Sequence, residues 1–307
     1  MRKALKWIGI VLGGLVGLIV IVIVGLLIYG QVSFKRTYQR PVHAIAADTS
    51  PEGVARGEYL VRTVIGCGEC HSPDGEQGAL IGMVENINFG PVSGVFATPN
   101  LTPDKDTGLG DWTDGEIARA IREGLDKEGV ELKVMPSSLF HRLSDEDVAA
   151  IVGYLRSLEP VPNEIPPFQV NAVGKAMAAV GLLGPSELGE PITGPQTAPE
   201  PGSTGADRGE YLVTLGGCRF CHGENLAGGP VPFSEPGAVP ASNLTPAGEL
   251  DGWSETIFIE TMRFGYTPTD RKLDETMPWK RLGKLTDEDL KAMWAYLQTV
   301  PAVTSKR

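Results

Sequence analysis

Hydrophobic and polar positions along the chain fall into three regimes. From Trp7 to Phe34 there is no charged residue, and Ile8–Tyr29 is almost entirely Ile, Val, Leu and Gly. As a helix these 22 residues rise about 33 Å, the thickness of a bilayer core, so the pattern predicts an uncleaved membrane anchor. A signal peptide has a shorter apolar stretch ending near a small-residue cleavage site. Here Ala44-Ile45-Ala46 lies well beyond the apolar run.

The second regime is a helical periodicity that occurs twice. Val148, Ile151, Val152 and Leu155 are spaced i, i+3, i+4, i+7, and Leu290, Met293, Trp294 and Leu297 repeat that spacing. Each run is one apolar helix face. Ser144 and Thr286 stand at the N-cap positions with Asp147 and Asp289 three residues on, and Pro160 and Pro301 close the segments. Thr113 and Glu116 form another capping box, opening a helix through about Gly124. Each "GEYLV" also reads as a short helix. Alternating, strand-like patterns are scarce, so the expected fold class is all-α.

The third regime, about 162–205, is rich in Pro, Gly, Ser and Thr and reads as a linker. Within it, Lys175–Leu183 reads as a short helix lying on a domain or on a membrane surface.

The doubled helix belongs to a longer internal repeat. "ARGEYLV" (55–61) matches "DRGEYLV" (207–213), "PNLTPD" (99–104) matches "SNLTPA" (242–247), and Trp112 matches Trp253. "VMPSSL" (134–139) matches "TMPWKR" (276–281). The offset drifts from 152 to 142 while the order is kept, so loops differ and the plan does not. The expected organisation is an anchor and stalk over 1–47, a domain over 48–161, a linker over 162–205 and a second domain over 206–307.

Six of the 27 basic residues and none of the 38 acidic ones lie in residues 1–47, so the remainder carries a formal charge of −17. That excludes nucleic acid as a partner and suits either solubility or the steering of a basic partner.

All four cysteines sit in two equivalent stretches, "IGCGECHSPDG" (65–75) and "GGCRFCHGENL" (216–226). A zinc site needs four ligands, and a site shared between repeated units fits poorly with each unit hosting its own. A thioredoxin-like pair needs a βαβ context, which is not visible. Cys-x-x-Cys-His is the attachment pattern of c-type haem: two thiols add to the two vinyl groups and the histidine ligates the iron. Cys67, Cys70 and His71 would hold one haem, and Cys218, Cys221 and His222 a second. For the remaining axial position Met135 and Met277 stand in the same Met-Pro context in both units, and a thioether favours ferrous iron. Met262 and His141 are the competitors, each lacking a counterpart in the other unit. The remaining methionines read as filler. Trp112 and Trp253 read either as haem-edge or propionate contacts or as plain core. Asp104–Glu116 reads as a turn before a helix and not as a calcium loop.

Cys-x-x-Cys-His, "NLTPD" with "GDW", Met-Pro and "LSDEDVAAIVGYLRSLEPV" together resemble the class I c-type cytochromes. They are most similar to the cytochrome c subunits of bacterial membrane-bound alcohol and aldehyde dehydrogenases. The resemblance covers about 50–303, including "IPPFQVNAVGKAMAAVGLLG", and departs in having two haem units where those subunits usually have three, and in its N-terminal anchor. It implies two tandem class I cytochrome c domains, each with crossing opening and closing helices, Gly57 near Tyr154 and Gly209 near Tyr296. It also implies His71/Met135 and His222/Met277 axial pairs. Haem attachment outside the cytoplasm implies a single-pass protein of the bacterial inner membrane with both domains on the periplasmic side. The function expected is electron transfer from a dehydrogenase subunit or quinol-oxidising complex to a cytochrome or oxidase, with no catalytic residue. A dihaem peroxidase or thiosulfate-oxidising enzyme is the alternative.

Overall fold

The computed structural model describes residues 2–183, 186, 188–232, 234 and 237–304. Residue 1, residues 184, 185 and 187 of the expected linker, and residues 233, 235, 236 and 305–307 of the expected second domain lie outside them. The first element, α1, is Arg2–Phe34. Within its Leu5–Phe34 stretch an 18-residue segment has a mean hydropathy of 3.1, and most apolar side chains along it are exposed to the surroundings, so it is long and apolar enough to cross a membrane.

The first unit opens with α2 (Pro51–Tyr59), which continues as a π-helical stretch, Leu60–Ile65, ending at left-handed Gly66. Then come α3 (Gly68–His71), α4 (Asp114–Glu123), α5 (Ser137–Phe140) and α6 (Asp145–Ser157). The second unit repeats the series without the π stretch: α8 (Ala206–Leu215), α9 (Cys218–His222), α10 (Glu255–Phe264), α11 (Trp279–Leu282) and α12 (Asp287–Leu297). Between the two lies α7 (Ala172–Ala179), capped by Asn171. It starts three residues before the Lys175 expected from sequence and stops before left-handed Gly181. The π stretch has a simple origin. "GEYLV" repeats at an offset of 152 but Cys-x-x-Cys at 151, so the first unit carries one extra residue between them. A π turn absorbs a single insertion without ending the helix.

The all-α expectation is corrected by a three-stranded antiparallel sheet. β1 (Met83–Phe89) pairs with β2 (Val92–Thr98) as a hairpin, and β3 (Gln169–Val170) from the connector pairs with β2. The hairpin occupies extra sequence in the first unit: Cys67 and Pro99 are 32 residues apart, Cys218 and Ser242 only 24. It escaped the pattern because β1 is mostly solvated on both faces, Val84 and Phe89 included, so it lacks the apolar alternation of a half-buried strand.

In each unit the opening and closing helices cross at a glycine. A methyl group on Gly57 would lie 2.0 Å from the carbonyl oxygen of Ala150 and 2.8 Å from Tyr154 Cβ. One on Gly209 would lie 1.9 Å from that of Ala292 and 2.6 Å from Tyr296 Cβ. These contacts agree with the crossing implied by the resemblance. Leu60, Val64, Val148, Ile151 and Val152 of the first unit and Leu212, Leu285, Leu290 and Ala292 of the second are buried in one continuous apolar cluster. The segment after α1 is fixed to the first unit, with Tyr38 N–H donating to the Gly129 carbonyl at 2.8 Å and Arg40 paired with Glu123 at 3.1 Å. The end of α1 packs on α7, where Lys175 Nζ donates to Gln31 Oε1 at 3.0 Å.

Candidate functional site

Each Cys-x-x-Cys-His stretch coils into a single turn of helix, α3 or α9, preceded by a left-handed glycine, Gly66 or Gly217. A residue with a Cβ pays steric strain at positive φ, which accounts for glycine at both positions. His71 and His222 are 7% and 8% exposed. Nδ1 of His71 lies 2.9 Å from the Pro99 carbonyl oxygen, and Nδ1 of His222 lies 2.7 Å from that of Ser242. Burial shifts both imidazoles below their ordinary pKa, so both are neutral at pH 7. In a neutral ring facing a carbonyl, Nδ1 carries the proton and donates it. Nε2 is then the lone-pair nitrogen, ready to ligate a metal.

The carbonyls that orient the histidines sit just before Asn100 and Asn243, which pin the end of each unit. Asn100 Nδ2 donates to the Val161 carbonyl at 2.8 Å, and Asn243 Nδ2 to that of Val303 at 2.6 Å. This role of "NLTP" was missed in the sequence, although its repetition was the available signal.

Cys67 and Cys218 lie at the edge of the apolar cluster, as do Met135 and Met277. Cys221 is half-buried and Cys70 exposed, and no cysteine is in a disulfide. Burial pushes the Cys67 thiol up to about 12 and the Cys218 thiol to about 11, with the Arg281 charge pulling both the other way. Both are therefore thiols at neutral pH. The Met-Pro stretches share one backbone form. Pro136 and Pro278 both have φ −77°. Ser137 N–H donates to the Met135 carbonyl at 2.8 Å, and Trp279 N–H to that of Met277 at 2.7 Å.

Of the competitors, Met262 is buried core at 4% exposure. His141 caps the end of α5, and its Nδ1 is buried with no hydrogen-bond partner among the described residues. Trp279 Nε1, two residues after Met277, is also buried and unpartnered among the described residues. Trp112 and Trp253 pack partly buried against the apolar cluster, and Asp104 accepts from the backbone and hydroxyl of Thr107, making the expected turn.

Comparison with known proteins decides the family. The family model for cytochrome c matches residues 54–159 and again 206–301. The chain belongs to the cytochrome c family. This cytochrome is 31% identical over 259 residues to a diheme cytochrome c-type protein of Cereibacter sphaeroides, covering 78% of this chain and 83% of that one. It is 28% identical over 307 residues to the gluconate 2-dehydrogenase cytochrome c subunit of Pantoea cypripedii, covering 90% of this chain and 64% of that subunit. It is 28% identical over 275 residues to the cytochrome c subunit of the quinone-type alcohol dehydrogenase of Komagataeibacter europaeus, covering 81% of this chain and 56% of that subunit. The chain thus spans less than two thirds of the length of those two dehydrogenase subunits. Membership of the family makes it an electron-transfer protein with covalently bound haem c.

Proposed function

We propose that this cytochrome is a membrane-anchored dihaem electron carrier. It would take electrons from a dehydrogenase or quinol-oxidising complex and deliver them to a downstream haem protein or oxidase. The observation that carries the reading is the repeated geometry of the two attachment turns: a Cys-x-x-Cys-His coil with its histidine buried, neutral and held through Nδ1 by a backbone carbonyl. The diheme relative and the dehydrogenase cytochrome subunits among the similar proteins support the two-haem count and the donor class.

The residues present fit haem c. Cys67 and Cys70, and Cys218 and Cys221, would form the thioether bonds. His71 and His222 would supply Nε2 to the iron, and Met135 and Met277 a thioether sulfur. The bound group supplies one-electron chemistry at iron. The protein's part is to hold the imidazole in one tautomer, exclude water with the apolar cluster and fill the remaining coordination position, which favours electron transfer over substrate chemistry. The buried, unpartnered indole N–H of Trp279 is a donor suited to a propionate.

In this reading residues 1–47 are the anchor and stalk, 48–161 and 206–307 the two haem domains and 162–205 the linker. The exposed apolar surface of α1 supports a membrane anchor. Covalent haem attachment, which takes place outside the cytoplasm, supports a periplasmic position for both domains at the bacterial inner membrane.

The test is to produce the full chain in a host that matures c-type haem, purify it in detergent, and record haem stoichiometry with oxidised and reduced spectra. Two low-spin haems per chain, both with the methionine–iron charge-transfer band, are expected. One high-spin haem would instead favour a dihaem enzyme, and peroxide and thiosulfate turnover would then be measured.

A further inference from the structure

The two units are related by an approximate two-fold, and among the side chains that reach from one unit to the other's attachment turn one pair breaks it by charge. Leu139 and Arg281 occupy the same position, four residues after Met135 and Met277. Each reaches across to the glycine that precedes the other unit's first cysteine. Leu139 Cδ1 would lie 3.6 Å from a methyl on Gly217, and Arg281 Nε 2.5 Å from a methyl on Gly66. One contact is apolar and the other cationic.

Arg281 is among the largest fully enclosed side chains of the chain, at 2% exposure. Its Nε donates to Glu69 Oε1 at 2.6 Å, and its Nη1 to the carbonyls of Thr63 and Val64, each at 2.7 Å. All three partners belong to the first unit, although the charge also acts on Cys218 of the second. Glu69 sits between Cys67 and Cys70, yet its side chain is 38% exposed. Water screens the carboxylate more than the enclosed guanidinium, so the pair is not neutral as seen from the protein interior.

We propose that Arg281 differentiates the two haem sites. It carries a buried positive charge from the second unit to the attachment turn of the first, where it raises the reduction potential of the first haem and draws the shared electron toward that unit. The inference rests on the reading that both turns hold haem. Its physical basis is charge balance. One-electron reduction of ferric to ferrous iron removes one unit of positive charge from the site, so a fixed cation nearby favours the reduced form.

The experiment is a redox titration of the full haem-loaded chain in detergent, carried out for the wild type, Arg281→Gln and Arg281→Lys. Met135→Ala serves to identify which optical wave belongs to the first unit. With Arg281→Gln the first-unit wave is expected to move to lower potential by more than the second, because the cation goes and Glu69 stays. Arg281→Lys, which keeps the charge but not the fork of donors, is expected to remain close to wild type. Equal shifts in both substitutions would show a purely structural role and overturn the inference. So would unchanged potentials with two haems retained, which would leave the proposed function standing. Should Arg281→Gln fail to fold, Leu139→Arg tests the same idea in reverse: it is expected to raise the second-unit wave, and no rise would overturn the inference. A chain that takes up no haem would overturn both the function and the inference.

Discussion

The hydroxyl of Tyr211, on the opening helix of the second unit, completes the N-cap of the closing helix of the first. It donates to Asp147 Oδ2 at 2.7 Å and accepts from Ser144 N–H at 3.2 Å. Tyr59 does the same for the second unit, donating to Asp289 Oδ2 at 2.7 Å and accepting from Thr286 N–H at 3.1 Å. Ser144 and Thr286 each take the forward half of their capping box, from Asp147 N–H and Asp289 N–H. In both, a tyrosine from the other unit stands in the return half. Arg56 and Arg208 pair with the same two carboxylates from within their own units, with Nε···Oδ1 distances of 2.9 and 3.0 Å. The reciprocity is that of an isologous interface built from duplicated sequence.

Replacing Tyr59 or Tyr211 by Phe should therefore be costly. Each substitution strips a cap N–H of its partner and removes one of two donors to a buried carboxylate oxygen, which keeps its arginine, while leaving the ring in place. Leaving a buried polar group unsatisfied costs about 1–3 kcal/mol. Guanidinium chloride unfolding of the haem-loaded chain checks this. A midpoint shift within error for both variants would mean that water replaces the hydroxyls without loss.

The same two phenols make the interface sensitive to alkali. Burial, with the Asp289 charge beside Tyr59 and the Asp147 charge beside Tyr211, raises both above the ordinary tyrosine range. A group whose folded pKa is raised contributes stability that is whole below its unfolded value, about 10, and is lost as pH climbs through the folded value. Unfolding midpoints should fall above about pH 10. The fall should be smaller in the double Phe variant. Identical alkaline profiles for the two proteins would assign the loss to other groups.

How much of this was readable beforehand depended on range. The caps at Ser144, Thr286 and Thr113 are set by residues three apart, so their positions were legible, as was the coiled spacing of the cysteine turns. The tyrosines were visible as part of "GEYLV", but not their partners, because a contact between residues 230 apart leaves no local pattern. Arg281 was hidden for the same reason. The extra residue behind the π stretch was present in the drifting offset, yet only the requirement to keep both the Gly57 crossing and the Cys67 turn shows why the helix widens there. The hairpin went unread because its first strand is mostly solvated on both faces and lacks the alternation of a half-buried strand.

The axial assignment can be tested separately in each unit. Met135→Ala and Met277→Ala should each leave the haem attached through its thioethers, remove one methionine–iron charge-transfer band and lower that haem's potential, because a soft ligand favouring ferrous iron is gone. The buried, unpartnered Nδ1 of His141 makes His141→Ala the necessary companion. It should leave both bands in place. If Met135→Ala changed nothing and His141→Ala altered the first haem, the axial donor would be the histidine.

The helix crossings set where the attachment turns stand, and they leave no room at the glycines. The opening helix leads directly into the cysteine turn, while the closing helix carries the cap that receives the other unit's tyrosine. Separating the two helices would thus disturb the haem site and the interface together. With 2.0 and 1.9 Å between a new methyl and a backbone carbonyl, Gly57→Ala and Gly209→Ala must push the helices apart, since a backbone oxygen cannot rotate away. Overpacking of this kind costs about 1–3 kcal/mol or more. Gly194→Ala, where nothing among the described residues lies within 4 Å of the new methyl, should be close to neutral in the same assay. Unfolding of the three variants, with haem stoichiometry measured alongside, makes the comparison. Gly57→Ala should weaken haem retention or ordering in the first unit before the second, and Gly209→Ala the reverse. Equal effects of all three substitutions would mean that chain entropy, and not the crossing, decides the outcome.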